Sequence, residues 1–89
     1  MTRLFIRHSV RDYDQWRKHY EAFGDNRDVM GVTGAAVFRS PSDPGDVTVW
    51  HDFATLEKAQ AFADSPKLKS AMAGAGVIST PQFWYADPV

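Results

Sequence analysis

The first residues of the chain alternate between two sides of different polarity. Within residues 3–8, Leu4, Ile6 and His8 share one side, whereas Phe5 stands between two arginines on the other. A repeat of two residues over a short segment is typical of a β-strand. Because the side with Leu4 and Ile6 is the more apolar, we expect it to face the core. His8 then lies on that side, as the last residue of the strand.

A run of aromatic residues predicts the first helix. Asp12 is a favourable N-cap, and Gln15 three positions later completes a capping box. The pattern can continue through Val29 to Gly31, because glycine suits the end of a helix. Large side chains recur at spacings of three and four, as on one face of an α-helix: Tyr13, Trp16, Tyr20 and Phe23.

Two further strands follow this helix. Residues 32–39 and 47–53 carry the β-branched and aromatic residues that strands favour. The segment between them, SPSDPGD, is a dense turn signal. The chain is therefore predicted to reverse direction between the two strands.

The remaining residues predict more helix and a last strand. Thr55 caps a helix over residues 56–64, which a Ser-Pro pair restarts as a second, short helix. Residues 77–85 then form a strand that holds consecutive Phe, Trp and Tyr residues. Pro81 within it indicates an edge strand or a bulge, because proline cannot donate a ladder hydrogen bond.

The order of elements is therefore β-α-β-β-α-β. With right-handed crossovers, this order predicts an α+β protein with the ferredoxin-like fold, a four-stranded antiparallel sheet with helices on one face. The length of 89 residues suits a single domain over residues 1–89.

Large residues occur on both sides of the predicted strands, although helices cover only one face of the sheet. Phe5, Trp50 and either Val37 or Phe38 would lie on the uncovered face. Such a patch is costly in water, and a second subunit packed sheet to sheet would cover it. We therefore expect a homodimer with Phe5 and Trp50 in its interface.

Composition and charge narrow the classes of function. Ten basic and eleven acidic residues leave a formal charge of −1 without a long run of either sign, which argues against nucleic-acid binding. The absence of cysteine excludes disulfides and cysteine nucleophiles. With no apolar signal-peptide region at the N-terminus and no apolar run long enough to span a bilayer, we expect a cytoplasmic protein without a membrane partner.

Two histidines are the candidate catalytic groups. Phe53, just before a helix, should face the helices, and the alternation then places Val49 and His51 on the same side. His8 faces that side as well. An imidazole titrates near neutral pH and can move a proton, as enolisation or an aldol-type cyclisation requires. The alternative for each is a strand histidine bonded to backbone or water.

Other polar groups are weaker candidates. Three histidines at positions 8, 19 and 51 lack the spacing of metal ligands, so we expect no metal site. His19 falls away from the apolar stripe of its helix, and Arg7, Arg27 and Arg39 are more typical of solvated or paired charges than of anion-binding groups.

Several stretches resemble a known superfamily. They are HSVRDYDQW, GVTGAAVFRSPSDPGDVTVWHDF, KAQAFADSPKLKSAM and AGV, which together span nearly the whole chain. The chain is similar to the dimeric α/β-barrel superfamily, which includes antibiotic-biosynthesis monooxygenases, haem-degrading monooxygenases and some polyketide cyclases. The likeness is strongest to short bacterial proteins described as cyclase-like or monooxygenase-like.

The resemblance implies a pocket within each subunit, between the sheet and its helices. It argues against haem degradation, since the positions that match that pattern are His8, Phe62 and Met72, and none keeps the required residue type. The pocket would be lined by substrate-binding residues from the helices: Tyr13, Trp16, Tyr20, Phe62 and Met72.

We therefore expect a homodimer that binds a small hydrophobic molecule, aromatic or polyketide-like. If it is an enzyme, the resemblance implies a cofactor-independent monooxygenase or a cyclase, with His8 as the first residue to test. The alternative is a non-catalytic ligand-binding or structural dimer in which packing closes the pocket.

Overall fold

Four strands and four short helices make up the computed structural model, which describes residues 1–89. None of the helices has the length and apolar character needed to cross a lipid bilayer. In chain order the elements are β1 (Thr2–Ser9), α1 (Tyr13–Ala22), α2 (Gly24–Val29), β2 (Gly34–Ser40), β3 (Asp43–Phe53), α3 (Leu56–Ala63), α4 (Pro66–Gly74) and β4 (Gln82–Ala86).

The strands form one antiparallel sheet in the order β2-β3-β1-β4. The first and third strands therefore lie in the middle, and β4 is an edge strand. This is the ferredoxin-like arrangement that the order of elements predicted, and the prediction of an α+β fold is confirmed.

One face of the sheet carries the core. Leu4 and Ile6 of β1 are at most 2% exposed, and Ile6 stands opposite Val49 of β3. Residues of α1, α3 and α4 pack onto this face and belong to the same apolar cluster, among them Trp16, Phe62 and Leu68. The alternation in the sequence therefore predicted the buried face of both central strands.

The first predicted helix is divided in two. Asp12 caps it as expected, since its Oδ1 accepts from the Gln15 N–H at 3.2 Å. The helix nevertheless ends at Ala22, and a second helix begins at Gly24. Phe23 lies between them and its N–H is shared by the carbonyls of His19 and Tyr20. A glycine directly after this turn is a poor helix former, which favours the interruption.

The strand boundaries differ most from those predicted in two places. Asp43 already pairs with Ser40, so only Pro41 and Ser42 make the turn between β2 and β3. The last strand begins at Gln82 and not at residue 77, because Pro81 has no N–H for the ladder with β1. Before that proline, Val77 makes only an isolated bridge to Val10.

Candidate functional site

A cleft opens between the helix-facing side of the sheet and the helices. His8 and His51 lie on the sheet side, Trp16 and Tyr20 come from α1, and Met72 comes from α4. Phe62 of α3 closes it next to His51, with ring centres 5.1 Å apart. The structure therefore brings together both candidate histidines and four of the five predicted substrate-binding residues.

The free space in this cleft is limited. About 430 Å³ is not filled by protein atoms, including the open mouth, but only about 40 Å³ can hold the centre of a water molecule. One buried water needs roughly 10–15 Å³ by the same measure. The cleft as it stands holds a few waters, and a ring-sized ligand requires side chains to move.

His51 is buried and carries one free ring nitrogen. Its side chain is on β3, 2% exposed, and its Nε2 lies 3.2 Å from the Tyr20 hydroxyl. Its Nδ1 is buried and has no hydrogen-bond partner. Burial, aided by the positive charge of Arg27, lowers the pKa of His51 from 6.5 to about 4. The imidazole is therefore neutral near pH 7.

His8 has the same character. It is 5% exposed, its Nδ1 is buried without a partner, and its ring meets that of Trp16 edge-on at 5.8 Å. Burial lowers its pKa below 6.5. His8 also borders a polar groove lined by Asp43, Asp46 and other polar residues. It therefore stands between an apolar cleft and a polar one.

The aromatic residues of α1 form one continuous stack, but only part of it reaches the cleft. Trp16 and Tyr20 stack with ring centres 5.0 Å apart, and both line the cleft. Tyr13 packs on the far side of Trp16 and beneath the guanidinium of Arg39, 4.2 Å from its ring centre. Tyr13 is not among the residues that line the cleft.

Two polar residues at the cleft were not singled out by the sequence. His19 and Arg27 both line it, although we expected His19 to point away and Arg27 to be solvated or paired. Arg27 makes no salt bridge; it donates from Nη1 to the Tyr20 carbonyl and stacks on the Tyr20 ring at 3.8 Å. The seven-residue spacing from Tyr20 would indicate a shared face only in an unbroken helix, and this helix is interrupted at Phe23.

The opposite face of the sheet carries a separate apolar surface, which we call the open face: Phe5, Trp50, Trp84, Phe38 and Ala36. Phe5 and Trp84 stack with ring centres 5.2 Å apart and planes at 5°. The guanidinium of Arg3 covers Trp50 at 3.6 Å and pairs with Asp52 at 2.7 Å. The two predicted interface residues therefore lie on the same, helix-free side.

Comparison with solved structures finds the same architecture in several proteins. One is a proposed antibiotic biosynthesis monooxygenase from Bordetella bronchiseptica, with a TM-score of 0.84 and 17% identity over 99% of this chain and 96% of that one. A similar protein from Caulobacter crescentus has a TM-score of 0.78 and 16% identity, covering 99% and 89%. SnoaB from Streptomyces nogalater, a cofactor-independent oxygenase, has a TM-score of 0.79 and 8% identity, covering 99% and 92%.

The likeness is one of fold. At these identities it confirms the ferredoxin-like fold alone, and it assigns neither a family nor an activity to the chain. No family model and no curated protein matches the sequence. What the chain can do chemically must therefore be argued from its own cleft.

Proposed function

We propose that the protein binds a small hydroxylated aromatic molecule in the cleft and oxygenates it without a cofactor. The observation that carries the proposal is the pair of buried histidines, His8 and His51, each with an unpartnered Nδ1. A buried polar atom without a partner is unusual in a folded protein and often marks a functional site. Here two such atoms belong to residues that line the same apolar cleft.

Oxygenation without a cofactor requires a base that is neutral before it accepts the substrate proton. A histidine whose pKa is lowered by burial keeps a free lone pair at neutral pH and can accept a proton from an acidic C–H or phenol O–H. In an anthrone-like substrate, the C–H electrons left on carbon reduce O₂ and form a C–O bond to a hydroperoxide. The histidine returns the proton to the peroxide oxygen; the hydroperoxide then loses its second C–H proton as the O–O bond breaks, which releases water and leaves a C=O group. One CH₂ and one O₂ give one C=O and one water.

His8 is the better candidate for this base. The Nε2 of His51 is engaged by the Tyr20 hydroxyl, whereas His8 stands beside Trp16 and meets both the cleft and the polar groove. His51 and Tyr20 are placed to orient a substrate oxygen through a hydrogen bond.

Substrate entry requires the cleft to widen. The roughly 40 Å³ that can hold water centres is far below the roughly 300 Å³ of a typical small-molecule pocket. Met72 is unbranched and adaptable, and Ala71 and Ala75 beside it add little bulk. We expect movement on the α4 side to admit a planar ring next to Trp16.

The fold comparison supports this choice of chemistry without establishing it. SnoaB shares the fold and is a cofactor-independent oxygenase. Such chemistry needs O₂, a base and an apolar cleft. The residues that line this cleft provide the base and the apolar surroundings.

Oxygen uptake with anthrone or a naphthohydroquinone as substrate tests the proposal. We expect turnover in the wild type and a loss of about 100-fold in kcat in His8→Ala, the size typical of general-base removal. Val47→Ala is the matched control, because Val47 is the buried register partner of His8 on β3 and carries no titratable group. Unchanged turnover in His8→Ala would remove His8 from the reaction. Absence of any uptake by the wild type would overturn the oxygenase proposal.

A non-catalytic binding protein is the second candidate function. The observation in its favour is the tight packing of Trp16, Tyr20, Phe62 and Met72, which leaves so little free volume. Binding of the same aromatic molecules without oxygen uptake or cyclised product would favour it over both the oxygenase and the cyclase.

The open face supports a further part of the proposal, a homodimer packed sheet to sheet. Trp84 and Phe38 are 42% and 53% exposed, and they flank the less exposed rings of Phe5 and Trp50. Aromatic clusters of this kind are typical of the centre of protein interfaces. Arg3 and Asp52, already paired with each other, leave no uncompensated charge at its edge.

A further inference from the structure

The cleft contains one permanently charged side chain that no carboxylate neutralises. Arg27 lines it and takes part in none of the three salt bridges, which are Arg3–Asp52, Arg7–Asp46 and Arg17–Glu21. None of the 14 residues that line the cleft is an aspartate or a glutamate. The cleft is therefore electropositive as well as apolar.

The position of the Arg27 guanidinium is set by Tyr20. Its Cζ lies 3.8 Å from the centre of the Tyr20 ring, and its Nη1 donates to the Tyr20 carbonyl. A guanidinium has five N–H donors in a planar fork, and this is its one protein hydrogen bond. The remaining N–H groups can donate to an anionic oxygen of a ligand in the cleft without breaking an existing ion pair.

The positive charge of Arg27 already affects the pKa values of neighbouring groups. It helps to lower the pKa of His51 and opposes the rise that burial causes in the pKa of Tyr20. A positive charge that disfavours an imidazolium and favours a phenolate must also favour an anionic ligand at the same place. Arg27 is the one arginine or lysine among the residues that line the cleft.

We propose that Arg27 makes the cleft selective for aromatic ligands that carry an acid group, a carboxylate or an acidic phenol, whose anion binds the free N–H groups of the guanidinium. This inference rests on the proposed function, because it requires the cleft to accept an aromatic molecule. The ring of the ligand contacts the edges of Trp16 and Tyr20 that line the cleft, and its acid group points to the Arg27 guanidinium. Arg27 is then a specificity residue, and a deprotonated phenol or enol is stabilised by the same contact.

Calorimetric titration with two probes of equal shape tests it. 1-Naphthoate and 1-naphthamide differ in charge at pH 7, and we expect the wild type to bind naphthoate about tenfold more tightly, as a charge-assisted bidentate contact implies. Arg27→Gln should remove this preference and leave naphthamide binding unchanged, whereas Arg27→Lys should keep part of it. Arg17→Gln is the matched control, because Arg17 is also near Tyr20, at 5.5 Å, but is paired with Glu21.

The outcomes separate the two proposals. If both probes bind equally to the wild type, or if Arg27→Gln keeps the preference, the anion selectivity is wrong and the aromatic cleft stands. If neither probe binds, both proposals fail. If Arg27→Gln does not fold, the salt dependence of probe binding to the wild type decides. Added NaCl should weaken naphthoate binding and leave naphthamide binding unchanged. An equal salt dependence for the two probes would overturn the inference. Met72→Trp, which fills the cleft, should abolish binding of both probes.

Discussion

At the residue scale, the properties of the His51 side chain depend on the residues that pack around it. It lies on a strand that the sequence predicted, facing the side that the alternation predicted. Its contact with Tyr20 and the Arg27 charge that helps to lower its pKa come from residues 31 and 24 positions earlier in the chain. The sequence therefore located the histidine on the correct face, but its protonation state follows from what packs around it.

Burial of His51 predicts a loss of stability in mild acid. The unfolded chain takes up a proton near pH 6.5, whereas the folded chain resists protonation until about pH 4. Between these values the unfolded state binds more protons, so the free energy of unfolding falls as the pH drops from 6.5 towards 4. The His51 contribution is roughly 3 kcal/mol over this window, and it is complete above pH 6.5.

Urea unfolding at pH 7.5, 6.5, 5.5 and 4.5 measures this effect. His51→Gln should flatten the pH dependence by about the His51 contribution, leaving the smaller effect of His8 in the same direction. Val49→Ala, which changes a buried residue of the same strand that carries no titratable group, should lower stability but keep the wild-type pH dependence. A His51→Gln profile parallel to that of the wild type would contradict the assignment.

At the scale of elements, helix starts were easier to predict than helix ends. Asp12 and Thr55 both accept a hydrogen bond from the N–H three residues later, as their residue types indicated. The interruption at Phe23 and the late start of β4 were not predicted, because each depends on backbone turns that hydrophobic periodicity does not describe. The interruption matters for the site, since α2 carries Arg27 to the cleft.

The two caps on the C-terminal half of the chain should differ in energy. Thr55 Oγ1 accepts from the Lys58 N–H at 3.2 Å, whereas Ser65 precedes α4 without a side-chain cap hydrogen bond. We expect Thr55→Ala to lower the free energy of unfolding by about 1 kcal/mol. Ser65→Ala, the matched control, should change it by less than about 0.5 kcal/mol. Equal losses in urea unfolding at pH 7.5 would show that the Thr55 hydrogen bond is not the stabilising contact.

At the scale of the whole molecule, the two faces of the sheet differ in what covers them. The helix side encloses the core and the cleft, while the open face presents a row of aromatic rings to its surroundings. The alternation predicted the face of Phe5 and Trp50 but left open whether Val37 or Phe38 joins them. The structure has Phe38 on the open face, since Val37 pairs with Val49 and packs against the core. Coverage of the open face by a second copy remains a prediction.

A charge placed at the centre of the open face should separate the dimer. We expect the wild type to sediment as a dimer at about 10 μM, and Trp50→Glu to raise the dissociation constant roughly 30-fold or more, as for a buried aromatic hot spot. Val29→Glu, on an exposed residue of α2, should leave the dimer intact. A wild type that sediments as a monomer at this concentration would contradict the interface.

Local patterns by themselves determined the order of strands and helices, the N-caps and the side of the sheet on which each strand residue lies. They could do so because strand alternation, helical spacing and capping depend on neighbours within a few residues. Only the tertiary structure decided that Tyr20 meets His51, that both imidazoles keep a free Nδ1, and that Arg27 reaches the cleft without a carboxylate partner. These features arise where segments distant in the chain pack together, and packing sets burial, hydrogen bonding and charge.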